Sequence, residues 1–187
     1  DITAKEGSYA AVDIPSRESK MPADAVKMTP QTDAHPLEVK SDDYKAPVMI
    51  GSAINTAGAE DSPFIMPDGN TLYFFFTTDV RVPAEKQLLD QVTGIWMSKK
   101  INGEWTAAER VLLQDKGKLA LDGCLFVNSD YSLFCSAREG YTGIHWFSAE
   151  FSDGKWKNWK NADFNPDYKV GELHMTKDGN ELYFHSD

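Results

Sequence analysis

The residues best equipped for chemistry lie near the end of the sequence. Glu172 and His174 precede a Lys177-Asp178-Gly179-Asn180 turn, and Tyr183 and His185 follow it. A hairpin closed at that turn sets Glu172 opposite His185 and His174 opposite Tyr183, on one face. Cross-strand neighbours at such range touch. Two imidazoles, a carboxylate and a phenol could ligate a transition metal, with Glu172, His174 and His185 as its ligands. They could equally do acid–base work. The plainer alternative is a hydrogen-bonded contact between packed sheets.

A second set is acidic. Glu60, Asp61, Asp122 and Glu172 each stand at or just before the first strand of a repeated unit. Their hard oxygens suit Ca2+, or they form a solvated acidic rim. Arg81 and Arg138 join these four as candidate binding residues. Beyond a Ca2+ or transition-metal site no cofactor is expected. Glycoside chemistry would require two carboxylates about 5–10 Å apart. A carbohydrate-active hydrolase or lyase using Glu60, Asp122 and Glu172 is therefore the competing enzymatic reading. No nucleophile elbow, phosphate loop, dinucleotide fingerprint or HExxH motif is present. Cys124 and Cys135 share a face of one hairpin, directly opposite or diagonal, as a disulfide or two buried thiols.

The elements that must position these groups repeat. Asp61-Ser62-Pro63-Phe64-Ile65-Met66-Pro67-Asp68-Gly69-Asn70-Thr71-Leu72-Tyr73-Phe74 reads as strand, tight turn and strand. Gly171 to Phe184 repeats its Asp-Gly-Asn-x-Leu-Tyr-Phe string, and Cys124 to Phe134 is a degenerate copy. Proline pre-sets φ in the turn, Asp caps its own backbone, and Gly and Asn tolerate positive φ. The turn residues Asp68, Asp130 and Asp178 are 62 and 48 positions apart. After the first two hairpins come Gly94-Ile95-Trp96 and Gly143-Ile144-His145-Trp146, then Asn102-Gly103-Glu104-Trp105 and Asp153-Gly154-Lys155-Trp156. The plan predicts two complete four-strand units, with Glu104-Trp105 and the run to Leu113 giving the fourth strand and the crossover of the first. A third unit stops after its second strand.

That period and strand count predict an all-β fold, a β-propeller of four-stranded antiparallel blades, with about two and a half blades present. Pairing Met66 with Thr71 makes both faces of the first hairpin apolar, so each sheet should be sandwiched. Residues 45–187 carry the blades. Pro47 to Gly51 adds a short strand candidate. Residues 1–44, rich in Pro, Ser, Lys, Asp and Glu, read as an extended or partly disordered N-terminal arm. About 13 extra residues between Asp68 and Gly94, including Arg81, form an insertion where recognition could sit. Trp96, Trp105, Trp146 and Trp156 recur as core positions, and Trp159 falls outside the pattern as a candidate surface aromatic.

Nineteen basic against 29 acidic side chains give a net charge of −10. That argues against a nucleic-acid backbone and an anionic membrane surface as partners. No apolar run reaches the roughly 20 residues of a membrane span. A protein or a carbohydrate is the ligand expected. Three partial blades do not close a ring, so further blades are expected from the same or another chain, covering the edge at Phe184, His185 and Asp187. The N-terminal arm folding back over that edge is the alternative.

The 61–74 string resembles the WD-like β-propeller repeat of the periplasmic Tol-system translocation protein and many exported bacterial proteins. Ser136-Ala137-Arg138-Glu139-Gly140 with Gly143-Ile144 is similar to that repeat's continuation. The resemblance covers about residues 47–187, with the second copy departing at Ser129-Asp130-Tyr131. It implies a propeller and a periplasmic or extracellular location. It implies no activity, because the scaffold serves many. A non-enzymatic binding or protein-interaction module of an exported bacterial protein is the expected function.

Overall fold

A computed structural model describes residues 14–114, 118, 120–165, 167 and 170–186. Residues 1–13 of the arm and Asp187 of the expected edge lie outside them. The described chain is all-β, built from antiparallel sheets with one α-helical turn, α1 (Ala84–Gln87), and two 3-10 turns, Glu18–Lys20 and Leu88–Asp90. The first sheet holds β1 (Ala59–Ile65), β2 (Thr71–Thr77), β3 (Gly94–Ile101), β4 (Glu104–Trp105) and β5 (Glu109–Arg110). The second holds β6 (Ala120–Asn128), β7 (Tyr131–Arg138), β8 (His145–Ser152) and β9 (Lys155–Asn161), paired in chain order. The third is the pair β10 (Val170–Met175) and β11 (Leu182–Ser186).

The turn chemistry forms as its residues dictate. Gly69 and Gly179 take positive φ, at 71° and 74°. Asp68 and Asp178 accept the backbone N–H of Asn70 and Asn180 at 2.9 and 3.2 Å. Phe64 pairs with Tyr73, and His174 with Tyr183. The first and third hairpins therefore share a register near their turns. The middle one closes more tightly, with Asn128 paired to Tyr131 across Ser129-Asp130.

The sheets stack face to face. Tyr73 and Ile95 of the first, with Val111 and Leu113 just after β5, pack on Leu125, Val127, Phe134, Phe147 and Trp156 of the second. Phe126, Leu133 and Trp146, on the second sheet's other face, meet Leu173, Met175 and Leu182 of the third. The first sheet's remaining face buries Leu72, Phe74, Phe76 and Trp96 under Ile14, Met21 and Ile50 from the segment before β1.

Several expectations are corrected. Pro47 to Gly51 is not a strand: β1 pairs only with β2, so this segment has no ladder to join, and Val48 is exposed. The stretch expected to hold the fourth strand and crossover of the first unit forms two short strands, β4 and β5, which pair separately with β3. The insertion coils into α1 and a 3-10 turn, Leu88–Asp90. Asp90 ties it down by accepting the N–H of Val92 and Thr93, both at 2.7 Å. Trp96 and Trp146 do not correspond. Tyr73 pairs with Met97 and Leu133 with Ser148, so Trp96 matches Phe147 while Trp146 matches Ile95, on the opposite face. His145 is the extra residue that shifts the alternation. Trp159 is no surface aromatic: it packs on Phe147 and Arg138.

Two positions expected to be covered are open. Ile65 of β1 is 52% exposed, whereas its counterpart Val127 is 3% exposed. Tyr183 of β11 is 61% exposed, while Tyr73 and Leu133 in the matching place are 7% and 6% exposed. The described part of the arm does not fold back over β11. It lies against the first sheet instead.

Candidate functional site

The leading strand of each sheet carries the same irregularity. The ladder shifts between Asp61 and Phe64, between Gly123 and Phe126, and between Gly171 and Leu173. At each shift a residue other than glycine takes positive φ: Ser62 at 46°, Cys124 at 49° and Glu172 at 37°. Such a conformation costs about 1–3 kcal/mol and persists only where the surroundings over-determine it. A bulge re-aims its side chain. Here the three re-aimed groups meet, although they lie on three different sheets. The Ser62 hydroxyl donates a long bond to Glu172 Oε1 at 3.4 Å. The Cys124 thiol lies within electrostatic reach of both Glu172 and Asp61.

Two residues further on, the same strands bring Phe64, Phe126 and His174 together. Ring centroids are 5.3 Å apart for Phe64–Phe126 and 5.0 Å for Phe126–His174, both edge-on, and 6.2 Å for Phe64–His174. Each ring leans on that of the next sheet. Edge-to-face contacts at this range contribute about 0.5–1.5 kcal/mol beyond burial.

The bulges also displace the expected hairpin pairings. His185 faces Gly171 rather than Glu172, and Phe75 faces Asp61 rather than Ser62. A β-carbon at Gly171 would lie 2.4 Å from His185 Nε2, so the imidazole occupies the space that glycine leaves free. His174 is engaged with the phenyl rings and Glu172 with Ser62. Among the described residues no three His, Cys, Asp or Glu side chains are grouped to hold a metal ion.

Glu60 and Asp122 stand at matching places on β1 and β6, and each holds an arginine. Asp122, 2% exposed, accepts from Arg138 Nη2 at 2.5 Å and from the Ser136 hydroxyl at 2.6 Å, both on Oδ1. The Arg138 guanidinium lies over Phe134, Phe147 and Trp159 at 4.5–5.2 Å. Glu60 is served from the arm. Arg17 Nη1 donates to Glu60 Oε1 at 3.2 Å and to the Ile54 carbonyl at 2.8 Å, and Nη2 donates to the Ala53 carbonyl at 3.0 Å. Its guanidinium sits over Phe74, Phe76 and Trp96 at 5.1–5.4 Å. Phe74 and Trp96 are the counterparts of Phe134 and Phe147. One arginine niche is thus built twice, filled once from within the sheet and once by the arm. Burial pulls the Arg17 pKa down, and Glu60 partly offsets it.

The remaining predicted residues serve locally. Arg81 bridges Asp24 of the arm and Asp79, at 2.8 Å to each, on an exposed surface. These carboxylates raise the Arg81 pKa, chiefly by hydrogen bonding. Asp61 is exposed and accepts the Ser62 N–H at 2.7 Å. Cys124 and Cys135 are free thiols, with Cys135 paired to Gly123, the diagonal arrangement.

Sequence reasoning missed Arg17. Its one signal is indirect: the first unit has an acid at Glu60 but Thr78 where the second has Arg138. It also missed His145. That ring contacts Asp163 Oδ2 at 2.7 Å and the Thr142 carbonyl at 3.0 Å, and the Asp163 hydrogen bond lifts its pKa.

Compared with protein-family models, curated proteins and solved structures, the chain finds no match.

Proposed function

We propose that this chain is part of a β-propeller serving as a non-enzymatic binding module in an exported bacterial protein. Its sheets are consecutive blades, and its ligand is a protein. The pair of open positions carries this reading. Ile65 and Tyr183 occupy positions that are sealed wherever a neighbouring sheet is present. They stand at opposite ends of the stack, where the next blades of a ring would lie. Tyr183, Phe184 and His185 also border an edge strand with unpaired backbone groups, which recruits another strand. The exported location rests on the resemblance of the 61–74 string to the Tol-type repeat.

Channel carboxylates working as acid and base are disfavoured. Asp122 is buried in an ion pair, and Glu60 accepts from Arg17 and from the Thr56 N–H and hydroxyl. Neither is left to exchange protons with a substrate.

Light scattering of the chain over a range of concentrations tests the reading, alongside Ile65→Glu and Tyr183→Glu variants. Concentration-dependent association is expected, weakened by either variant without lowering the unfolding midpoint. A monomer at every concentration that binds no apolar dye would refute it.

A further inference from the structure

We propose that the first sheet carries a binding site for an alkylguanidinium, the head of a peptide arginine, which the arm's Arg17 fills as a tethered ligand. The walls of the site are built without the arm. Glu60 is fixed by the Thr56 N–H and hydroxyl, at 3.0 and 2.6 Å. The Ala53 and Ile54 carbonyls belong to a turn in which the Ile54 and Asn55 N–H groups donate to the Gly51 carbonyl, at 3.0 and 3.1 Å. Phe74, Phe76 and Trp96 stand on the paired strands β2 and β3. Trp96 is anchored by its Nε1–H, which donates to the Val92 carbonyl at 2.8 Å. Residues 14–49 supply none of these groups.

The occupant, by contrast, is held through side chains. Among the described residues, no backbone hydrogen bond joins residues 14–49 to a strand. Lys27 Nζ donates to the Asn55 carbonyl at 2.7 Å, and Asp24 pairs with Arg81 on an exposed surface. Arg17 is the buried contact of the three. The site suits a guanidinium in particular. Nη1 serves Glu60 and the Ile54 carbonyl while Nη2 serves the Ala53 carbonyl, so the three acceptors surround one planar fork. The carbon of that fork lies 5.1–5.4 Å from the centres of three rings. An ammonium is a compact, strongly hydrated point charge without the fork or the flat face. The second sheet meets the same demand from within. Arg138 donates to Asp122 and the Leu113 carbonyl and lies over Phe134 and Phe147. The first unit has Thr78 at that place, too short to reach, so its site takes a side chain from outside the sheet.

Beyond the β-carbon, Arg17→Ala removes the atoms of ethylguanidinium, which makes that ion the probe. The full-length Arg17→Ala chain is unfolded in urea with about 10 mM ethylguanidinium chloride or with equal sodium chloride, far below denaturing concentrations. A dissociation constant of about 1 mM is within reach of so small a ligand. At ten times that value the folded-to-unfolded ratio should rise about elevenfold, moving the urea midpoint up by about 0.7 M. Ethylammonium should leave it unmoved, and wild type, whose site is filled, should respond to neither ion. No shift in Arg17→Ala, or an equal shift with ethylammonium or in wild type, would overturn the site. Adding Glu60→Gln should remove most of the rescue, and a full rescue there would overturn Glu60 as the anion that binds the ligand. If Arg17→Ala is unfolded without urea, ethylguanidinium should restore native tryptophan emission on refolding, and failure to do so would overturn the proposal. Arg17→Lys keeps the charge but should lose at least about half of the midpoint lost by Arg17→Ala. Parity of Arg17→Lys with wild type would overturn the selectivity for the planar group.

Discussion

Replacing Arg17 with methionine tests whether the arm is a working part of the first sheet. Methionine keeps much of the apolar stem and removes the charge. The guanidinium makes three hydrogen bonds, to Glu60 Oε1 and the Ala53 and Ile54 carbonyls, and is 4% exposed. Breaking a buried pair by removing one partner costs about 3–5 kcal/mol. Two facts lower that figure here. Glu60 is 14% exposed, and it keeps the Thr56 N–H and hydroxyl at 3.0 and 2.6 Å. A further loss comes from the cation over Phe74, Phe76 and Trp96, about 1–2 kcal/mol when desolvated. The expected net cost is about 3 kcal/mol, a large share of the roughly 5–15 kcal/mol by which a domain is stable. With a urea slope of about 2 kcal/mol/M, the unfolding midpoint should fall by about 1.5 M. The assay is a urea titration of wild type, Arg17→Met, Glu60→Gln and the double variant. A coupling of about 1–3 kcal/mol in this cycle is expected for groups in contact. A single-variant loss below about 1 kcal/mol, with no coupling, would show that the arm rests on the sheet without holding it.

Phe134→Ala should cost about 3–5 kcal/mol in denaturant melts, because a fully buried ring stacked on Phe147 leaves a cavity between two sheets. Gly94→Ala should destabilise by about 2–4 kcal/mol through positive φ and crowding. Its φ is 138°, and an added β-carbon would lie 2.0 Å from Arg110 Nη2. Arg110 cannot readily yield, since it donates to the Ile95, Val111 and Thr93 carbonyls. His145 has its pKa raised in the folded chain, so protonated His145 stabilises the fold. That contribution is complete below the ordinary value of about 6.5 and is lost as pH rises through the raised one. Wild type minus His145→Gln stability should therefore be larger at about pH 5.5 than at about pH 8.5. A difference independent of pH would refute the His145–Asp163 pairing.

What the sequence determined by itself is local. Asp68-Gly69-Asn70 and Asp178-Gly179-Asn180 close their turns through their own side chains and the φ freedom of glycine, so those hairpins form wherever the chain places them. The antiparallel order within the second and third sheets follows from short connections between apolar strands. Period-two alternation carried the register outward from each turn, correctly as far as Phe64–Tyr73 and His174–Tyr183. It failed at the bulges, because one inserted residue reverses every later side chain. Nothing in Ser62, Cys124 or Glu172 as residue types announces a left-handed backbone. Packing between successive sheets imposes it. For the same reason Glu172 and His185, partners by counting, come apart, while Ser62 and Glu172, 110 residues apart, touch. Arg17 shows the wider limit. Its niche is set by Phe74, Phe76, Trp96 and Glu60, which the tertiary fold gathers, and no pattern in residues 14–20 encodes it. Coverage, too, belongs to the tertiary structure. Ile65 and Val127 occupy equivalent positions on equivalent strands, and only a neighbouring sheet makes one buried and the other exposed.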